Sequence, residues 1–324
     1  MRPQASSSDS AELHSARPHY KRIPGQEDPL EEAASSATAP GYQSHPGQRA
    51  IPAASELSFS GRTRPLEVLR EVWSHRELLY FLTWRDVKVR YKQTALGVLW
   101  AVIQPLLTMA IFTVLFGRIA KIATDGVPRP IFYFSGLLPW LYLSTTVNQA
   151  SMSLVSNFQL LTKIYFPRVM LPAGVALSGL VDFFVGSTLL VGFFIYYHIH
   201  PGWVLLLWPV LVVQMILLAL SVSLFLATLN VKFRDVKYAV PFLVQIWMFA
   251  TPVIYPVSII PARFRSLIAL NPAAGLVEGF RHSLDPSIPL QWNLLGISAA
   301  VTVALFVTAI VFFHRSERAF ADII

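Results

Sequence analysis

Few side chains in this sequence could do chemistry, and Asp182 stands out among them. It is the only ionisable residue well inside one of the long apolar runs. A carboxylate at the centre of a membrane helix costs roughly 2.5–3.5 kcal/mol, so it must face protein and find a partner. The hydroxyls of Ser178 and Ser187 are the candidates nearest along the chain. Such a group can act as a proton relay or as a structural hydrogen-bonding element. His198 and His200 share a short turn that suits either a metal ion or simple hydration. Other chemistry is excluded by what is missing. Without cysteine there are no disulfides, thiolate metal sites or cysteine nucleophiles. Neither a G-x-x-x-x-G-K-S/T phosphate loop nor an H-E-x-x-H zinc motif occurs. No pair of acids falls in a plausible pocket. The chain therefore reads as a non-enzyme with no metal site and no cofactor of its own.

The elements around Asp182 are set by charge gaps. Of 324 residues, 54% are hydrophobic and only 14% charged, whereas soluble domains carry roughly a quarter charged residues. A transmembrane helix needs about 20 mostly apolar residues, and six runs satisfy that: 95–117, 132–157, 171–197, 203–229, 239–257 and 292–313. The expected fold is all-α and integral to a membrane, with six spans. Lys and Arg near the span ends set the orientation. One side holds eleven, from Arg85, Lys88, Arg90 and Lys92 through Lys163, Arg168, Lys232, Arg234 and Lys237 to Arg315 and Arg318. The other holds six, including Arg129 and Arg281. The richer side is the cytoplasm, which places both termini there. The net charge of +8 forms no long basic stripe, so nucleic acid is not the expected partner.

Outside the spans, residues 1–60 have no apolar core region and read as a disordered cytoplasmic tail, not a signal peptide. Residues 61–94 read as an amphipathic helix on the cytoplasmic membrane surface, with Leu66, Leu69, Val72, Trp73, Leu78, Leu79, Leu82 and Val87 near helical spacing. Residues 315–324 read as a second cytoplasmic tail. Between the last two spans, 259–270 and 273–284 are too short to cross and read as external re-entrant helices. Arg85-Asp86-Val87-Lys88 recurs as Arg234-Asp235-Val236-Lys237. This echo fits either duplication or juxtamembrane anchoring by snorkelling cations.

Aromatic residues crowd spans one, two and five. Trp100, Phe112, Phe116, Trp140, Trp247, Phe249 and Tyr255 are the ones of interest. Interfacial belts account for part of this enrichment. Aromatic faces also stack on the C–H faces of sugar rings, so the same residues could line a conduit for a glycan.

These features coincide with a resemblance. Trp84-Arg85-Asp86-Val87-Lys88-Val89-Arg90-Tyr91-Lys92-Gln93-Thr94, running into Leu96-Gly97-Val98-Leu99-Trp100 and Gln104-Pro105, resembles the start of the first span of type-2 ABC exporter permeases. More narrowly it is similar to the subunits that export O-antigen, teichoic acid and related polysaccharides. Gly136-Leu137-Leu138-Pro139-Trp140, Lys163-Ile164-Tyr165-Phe166-Pro167-Arg168, Phe233-Arg234-Asp235, Thr251-Pro252-Val253-Ile254-Tyr255-Pro256 and Asn271-Pro272 extend the likeness from about residue 65 to the end.

The resemblance implies a homodimer in the bacterial inner membrane. It implies two copies of a separate ATPase subunit holding ATP and Mg, and a lipid-linked polysaccharide as substrate. The segment 158–168 then corresponds to the coupling helix against the ATPase, with Leu160, Lys163, Tyr165, Phe166 and Arg168 as contacts. The short helices before the last span shape the exit. A lipid carrier's pyrophosphate needs cationic partners, and Arg90, Lys92 and Arg234 are placed to provide them or to anchor phospholipid. The rival functions are export of a drug or lipid through the same fold, and a membrane glycosyl or polyprenyl-phosphate transferase.

Overall fold

The apolar runs become helices because a backbone in hydrocarbon has to satisfy its own polar groups. The computed structural model describes residues 65–92, 98–163, 166–199, 203–233, 235–284 and 291–323. Tyr165, His200, Arg234 and the tail expected over 1–60 lie outside the described residues. Among the described residues every regular element is helical.

In chain order these are α1 (Pro65–Ser74), α2 (Arg76–Lys92) and α3 (Val98–Phe112), the last continued by a π-helical turn over Thr113–Ile119. Next come α4 (Arg129–Ser156), α5 (Phe158–Lys163) and α6 (Met170–Tyr197). A 3₁₀ turn over Trp203–Leu207 leads into α7 (Trp208–Lys232), followed by α8 (Val236–Ala250). The short helices α9 (Ala262–Ala269) and α10 (Pro272–Leu284) precede α11 (Trp292–Ile323).

Four segments are long and apolar enough to cross a membrane: Leu99–Ile119, Met170–Tyr197, Leu205–Lys232 and Trp292–Glu317. The other two expected spans take a different form, for different reasons. Helix α4 has the length but carries many Ser, Thr, Asn and Gln residues. It sits at the centre, packed against α3, α6, α7, α8 and α10, with Phe132, Tyr133, Phe134, Leu137 and Leu143 almost fully buried. Its hydroxyls turn back onto their own helix, as Thr145 does to Leu141 O at 2.7 Å and Ser153 to Ala150 O at 2.7 Å. Being buried, it has little need of a lipid-facing apolar surface.

Helix α8 stops at Ala250, short of the expected limit at 257. Thr251 is extended at φ −103° and ψ 139°, and Pro252 has no N–H to continue the ladder. At about 1.5 Å per residue, α8 falls short of the roughly 30 Å hydrocarbon core. Residues 251–254 and 256 are buried without being helical, and Val257, also buried, opens a 3₁₀ turn over Val257–Ile259.

The expected surface helix is also two helices, α1 and α2, parted at His75. Helix α2 has no single apolar stripe. Leu82 is buried while Tyr80, Phe81 and Trp84 remain exposed. It packs along α6, where a side chain on Gly174 would come within 3.3 Å of Leu82 Cβ.

Candidate functional site

Two clusters of paired polar side chains stand out among the described residues, one around Asp182 and one around Arg281. The first is built on Asp182, twelve residues into α6. Its partners are not Ser178 and Ser187, whose hydroxyls donate to their own helix at Val175 O, 2.9 Å, and Phe183 O, 2.8 Å. Instead the last turn of α2 reaches it. Arg90 Nη1 donates to one carboxylate oxygen and the Tyr91 hydroxyl to the other. Arg90 Nη2 donates to Gln149 Oε1 of α4 at 2.7 Å.

The geometry follows from helix direction. Leu82 lies beside Gly174 and Arg90 beside Asp182, so each helix advances eight residues between the two contacts. Helices α2 and α6 therefore run parallel over this stretch, and the ion pair closes its far end. Burial and the charge of Asp182 push the Tyr91 phenol well above its ordinary pKa, so it stays a donor. Beside the ion pair is a cavity of about 200 Å³ walled by Trp100, Gln104, Leu138, Leu141, Thr145 and Phe183. Arg90, Trp100 and Asp182, singled out in the sequence for three separate reasons, thus border one cavity.

The second cluster surrounds the break after α8, and the sequence reading missed its centre. Arg281 of α10, on the side expected to be external, is only 2% exposed. Its Nη1 donates to Glu278 Oε2 at 3.0 Å, and its Nη2 to Pro252 O and Val253 O, both at 3.1 Å. Its guanidinium stacks 3.9 Å from the Phe132 ring centre. An arginine stays charged even when buried, and Glu278 supplies the opposite charge.

Buried non-helical backbone must find its partners within the protein, and Arg281 supplies a donor to two carbonyls here. Asn271 completes the arrangement. Its Nδ2 donates to Ala250 O at 3.1 Å and Thr251 Oγ1 at 3.0 Å, while its Oδ1 accepts from Trp247 Nε1 at 2.9 Å. The signal available in the sequence was Glu278 and Arg281 at i, i+3 in an otherwise apolar short helix.

The expected conduit residues divide. Trp100 and Phe249 are exposed, at 52% and 54%. Phe112 and Phe116 are half-buried and meet edge to face at 5.2 Å. Trp140 is buried inside the protomer, 5.5 Å from Trp247. Tyr255 is half-buried and donates to Phe249 O at 3.2 Å.

Among the expected coupling residues, Lys163 is exposed at the end of α5 and Leu160 is half-buried. Phe166 turns the other way from a docking group. It is 6% exposed and packs with Leu154, Leu171, Ile310 and Phe313. Arg168 Nη1 donates to Glu317 O at 3.1 Å, and Lys92 is exposed.

Comparison with known proteins adds the context for this geometry. The family described as ABC-2 type transporter matches residues 77–284. The chain is 34% identical over 257 residues to the O-antigen export system permease protein of Myxococcus xanthus, covering 78% of this chain and 98% of that one. It is 29% identical over 253 residues to the O-antigen export system permease protein of Klebsiella pneumoniae, covering 76% and 95%. It is 24% identical over 239 residues to the polysialic acid transport protein of Escherichia coli, covering 72% and 91%.

Proposed function

Because this chain belongs to the ABC-2 type transporter family, we propose that it is the membrane permease subunit of a polysaccharide exporter. The observation that carries this reading is its similarity to O-antigen export permeases over nearly their whole length. It is an integral membrane protein, and catalysis of ATP hydrolysis falls to a separate subunit, which binds ATP and Mg. The assembly is a homodimer of six-span protomers with two ATPase copies, in the bacterial inner membrane and with both termini cytoplasmic. In this reading α4 and α8 are spans. Helix α4 is shielded by its neighbours, and α8 is completed by the buried segment after Ala250.

The exposed faces of α3 and α8 carry Trp100, Leu107, Ile111, Phe242, Ile246 and Phe249. In the dimer these faces meet around the conduit, where stacking holds a sliding glycan weakly and without regard to its sequence. Helix α5 presents Phe158 and Lys163 to the ATPase. The cations at the end of α2, Arg90 and Lys92, receive the phosphate groups of the lipid carrier.

Removing the chain from its native host is expected to strip polysaccharide from the cell surface and leave polymer on its lipid carrier inside. An ATPase subunit is expected to co-purify with the chain. Unchanged surface polysaccharide in its absence refutes the assignment.

A further inference from the structure

A guanidinium that already faces a carboxylate has little net charge to offer an anion. Arg90 is in that state, paired with Asp182, a residue 92 positions away on another helix. The pair is not sealed, for the two side chains are 23% and 36% exposed. Arg90 Nη2 is engaged by Gln149, and an anion that takes the edge at Nη1 must displace Asp182. We propose that Asp182 is a built-in competitor, a latch that keeps Arg90 closed until the phosphate of an isoprenoid lipid takes the guanidinium. This rests on the assignment of Arg90 to the lipid head group and adds the regulation of that site.

Three features support an exchange between two defined states. A phosphate offers more acceptor oxygens and more charge than one carboxylate, and a guanidinium binds it bidentately. The cavity beside the pair has apolar walls at Trp100, Leu138, Leu141 and Phe183 that suit the first units of an isoprenoid chain. The displaced carboxylate is not orphaned, because the Tyr91 hydroxyl holds its other oxygen independently of Arg90. Exchange thus separates two roles that are joined in the resting state. Arg90 goes to the ligand, and Asp182 stays with Tyr91. Tyr91 keeps the end of α2 on α6 throughout, so the exchange opens the guanidinium without unfastening the helix. A ligand can shift such an equilibrium only through its differential affinity for the two states, and here that difference is the gain of Arg90.

The test is binding of farnesyl phosphate to the purified full chain in phosphatidylcholine nanodiscs. Asp182→Asn removes the competitor and is expected to bind up to about fivefold tighter, the equivalent of one lost weak ion pair. Tyr91→Phe leaves the displaced carboxylate with no partner, a larger loss than in the closed state where Arg90 still holds it, and is expected to bind about threefold weaker. In the Asp182→Asn background the Tyr91→Phe change is expected to do nothing further. An equal loss there means that Tyr91 touches the ligand directly, and it overturns the latch. Unchanged or tighter binding by Tyr91→Phe alone also overturns it, whether or not Asp182→Asn folds. Arg90→Gln is expected to lose the phosphate preference. If Arg90→Gln loses it while Asp182→Asn matches the unmodified chain, the latch fails and the head-group site stands. If Arg90→Gln binds normally, or farnesol binds as well as farnesyl phosphate, the head-group site itself fails. Inorganic phosphate displacing the probe at equal concentration would mark a free anion as the ligand and overturn the lipid assignment.

Discussion

Replacing Arg281 with methionine tests how the buried break after α8 is held. The substitution keeps much of the side-chain volume and removes the charge and all donors. Three losses follow from the structure. Glu278, 6% exposed, becomes a buried carboxylate without its cation, and breaking a buried pair this way costs about 3–5 kcal/mol. Pro252 O and Val253 O lose the donor at 3.1 Å. Carbonyls tolerate under-satisfaction better than amides, so the low end of about 1 kcal/mol each applies. The stack on Phe132 is retained in part by the methionine thioether. The expected destabilisation is therefore about 5 kcal/mol or more, a large share of the roughly 5–15 kcal/mol that holds a typical protein folded. Pairing the change with Glu278→Leu removes the orphaned carboxylate and leaves only the two carbonyls. The double variant is expected to recover most of the loss, to about 2 kcal/mol below the parent. Unfolding of the purified chains in mixed detergent micelles, followed by tryptophan fluorescence, reads both values. A loss below about 1 kcal/mol for Arg281→Met would refute the assignment of Arg281 as the donor that supports this backbone. A double variant no more stable than the single one would refute the charge argument specifically.

Five further substitutions have expected outcomes. Gly136→Ala places a methyl 2.7 Å from Arg281 Nη2 and 3.1 Å from Val253 O, and it should cost about 1–3 kcal/mol by overpacking. Gly192→Ala meets nothing within 4 Å and should not lower the unfolding midpoint. Phe166→Ala should lose about 3–5 kcal/mol of stability as a core truncation. Phe158→Ala, at an exposed position, should fold normally and lower the ATPase stimulation seen on co-reconstitution; normal stimulation removes α5 from the coupling surface. Phe249→Ala should reduce glycan export at unchanged protein level and unfolding midpoint. A fall in export that only tracks protein level would place Phe249 against lipid instead of glycan.

Much of the fold was legible because hydropathy and helix formation are local. The run expected over 171–197 is helical over Met170–Tyr197, and the last helix begins at Trp292 as expected. The motif resemblance was likewise readable, because Trp84–Thr94, Thr251–Pro256 and Asn271-Pro272 are short and specific in combination. The structure gives two of these a physical role. Asn271 caps the end of α8, and the carbonyls of Pro252 and Val253 accept from Arg281. Counting charges near span ends gives a side and no depth, and Arg281, counted on the external side, is buried. Apolar spacing over 65–91 likewise hid the break at His75, because two helices with separate partners can together mimic one continuous stripe.

The sequence alone determined that the chain belongs in a membrane, that it is helical, and that it lacks a phosphate loop. Each follows from composition or from residues adjacent in the chain. Only the tertiary structure decided the partners of Asp182, the inward turn of Phe166 and Trp140, and the burial of Arg281. The reason is the same in each case. A buried charge or ring is stabilised by whatever the packing brings within a few ångströms, and the parallel run of α2 beside α6 brings Arg90 to Asp182 across 92 residues of chain. No periodicity within either helix encodes that neighbour, because it is the packing of the two helices that fixes it.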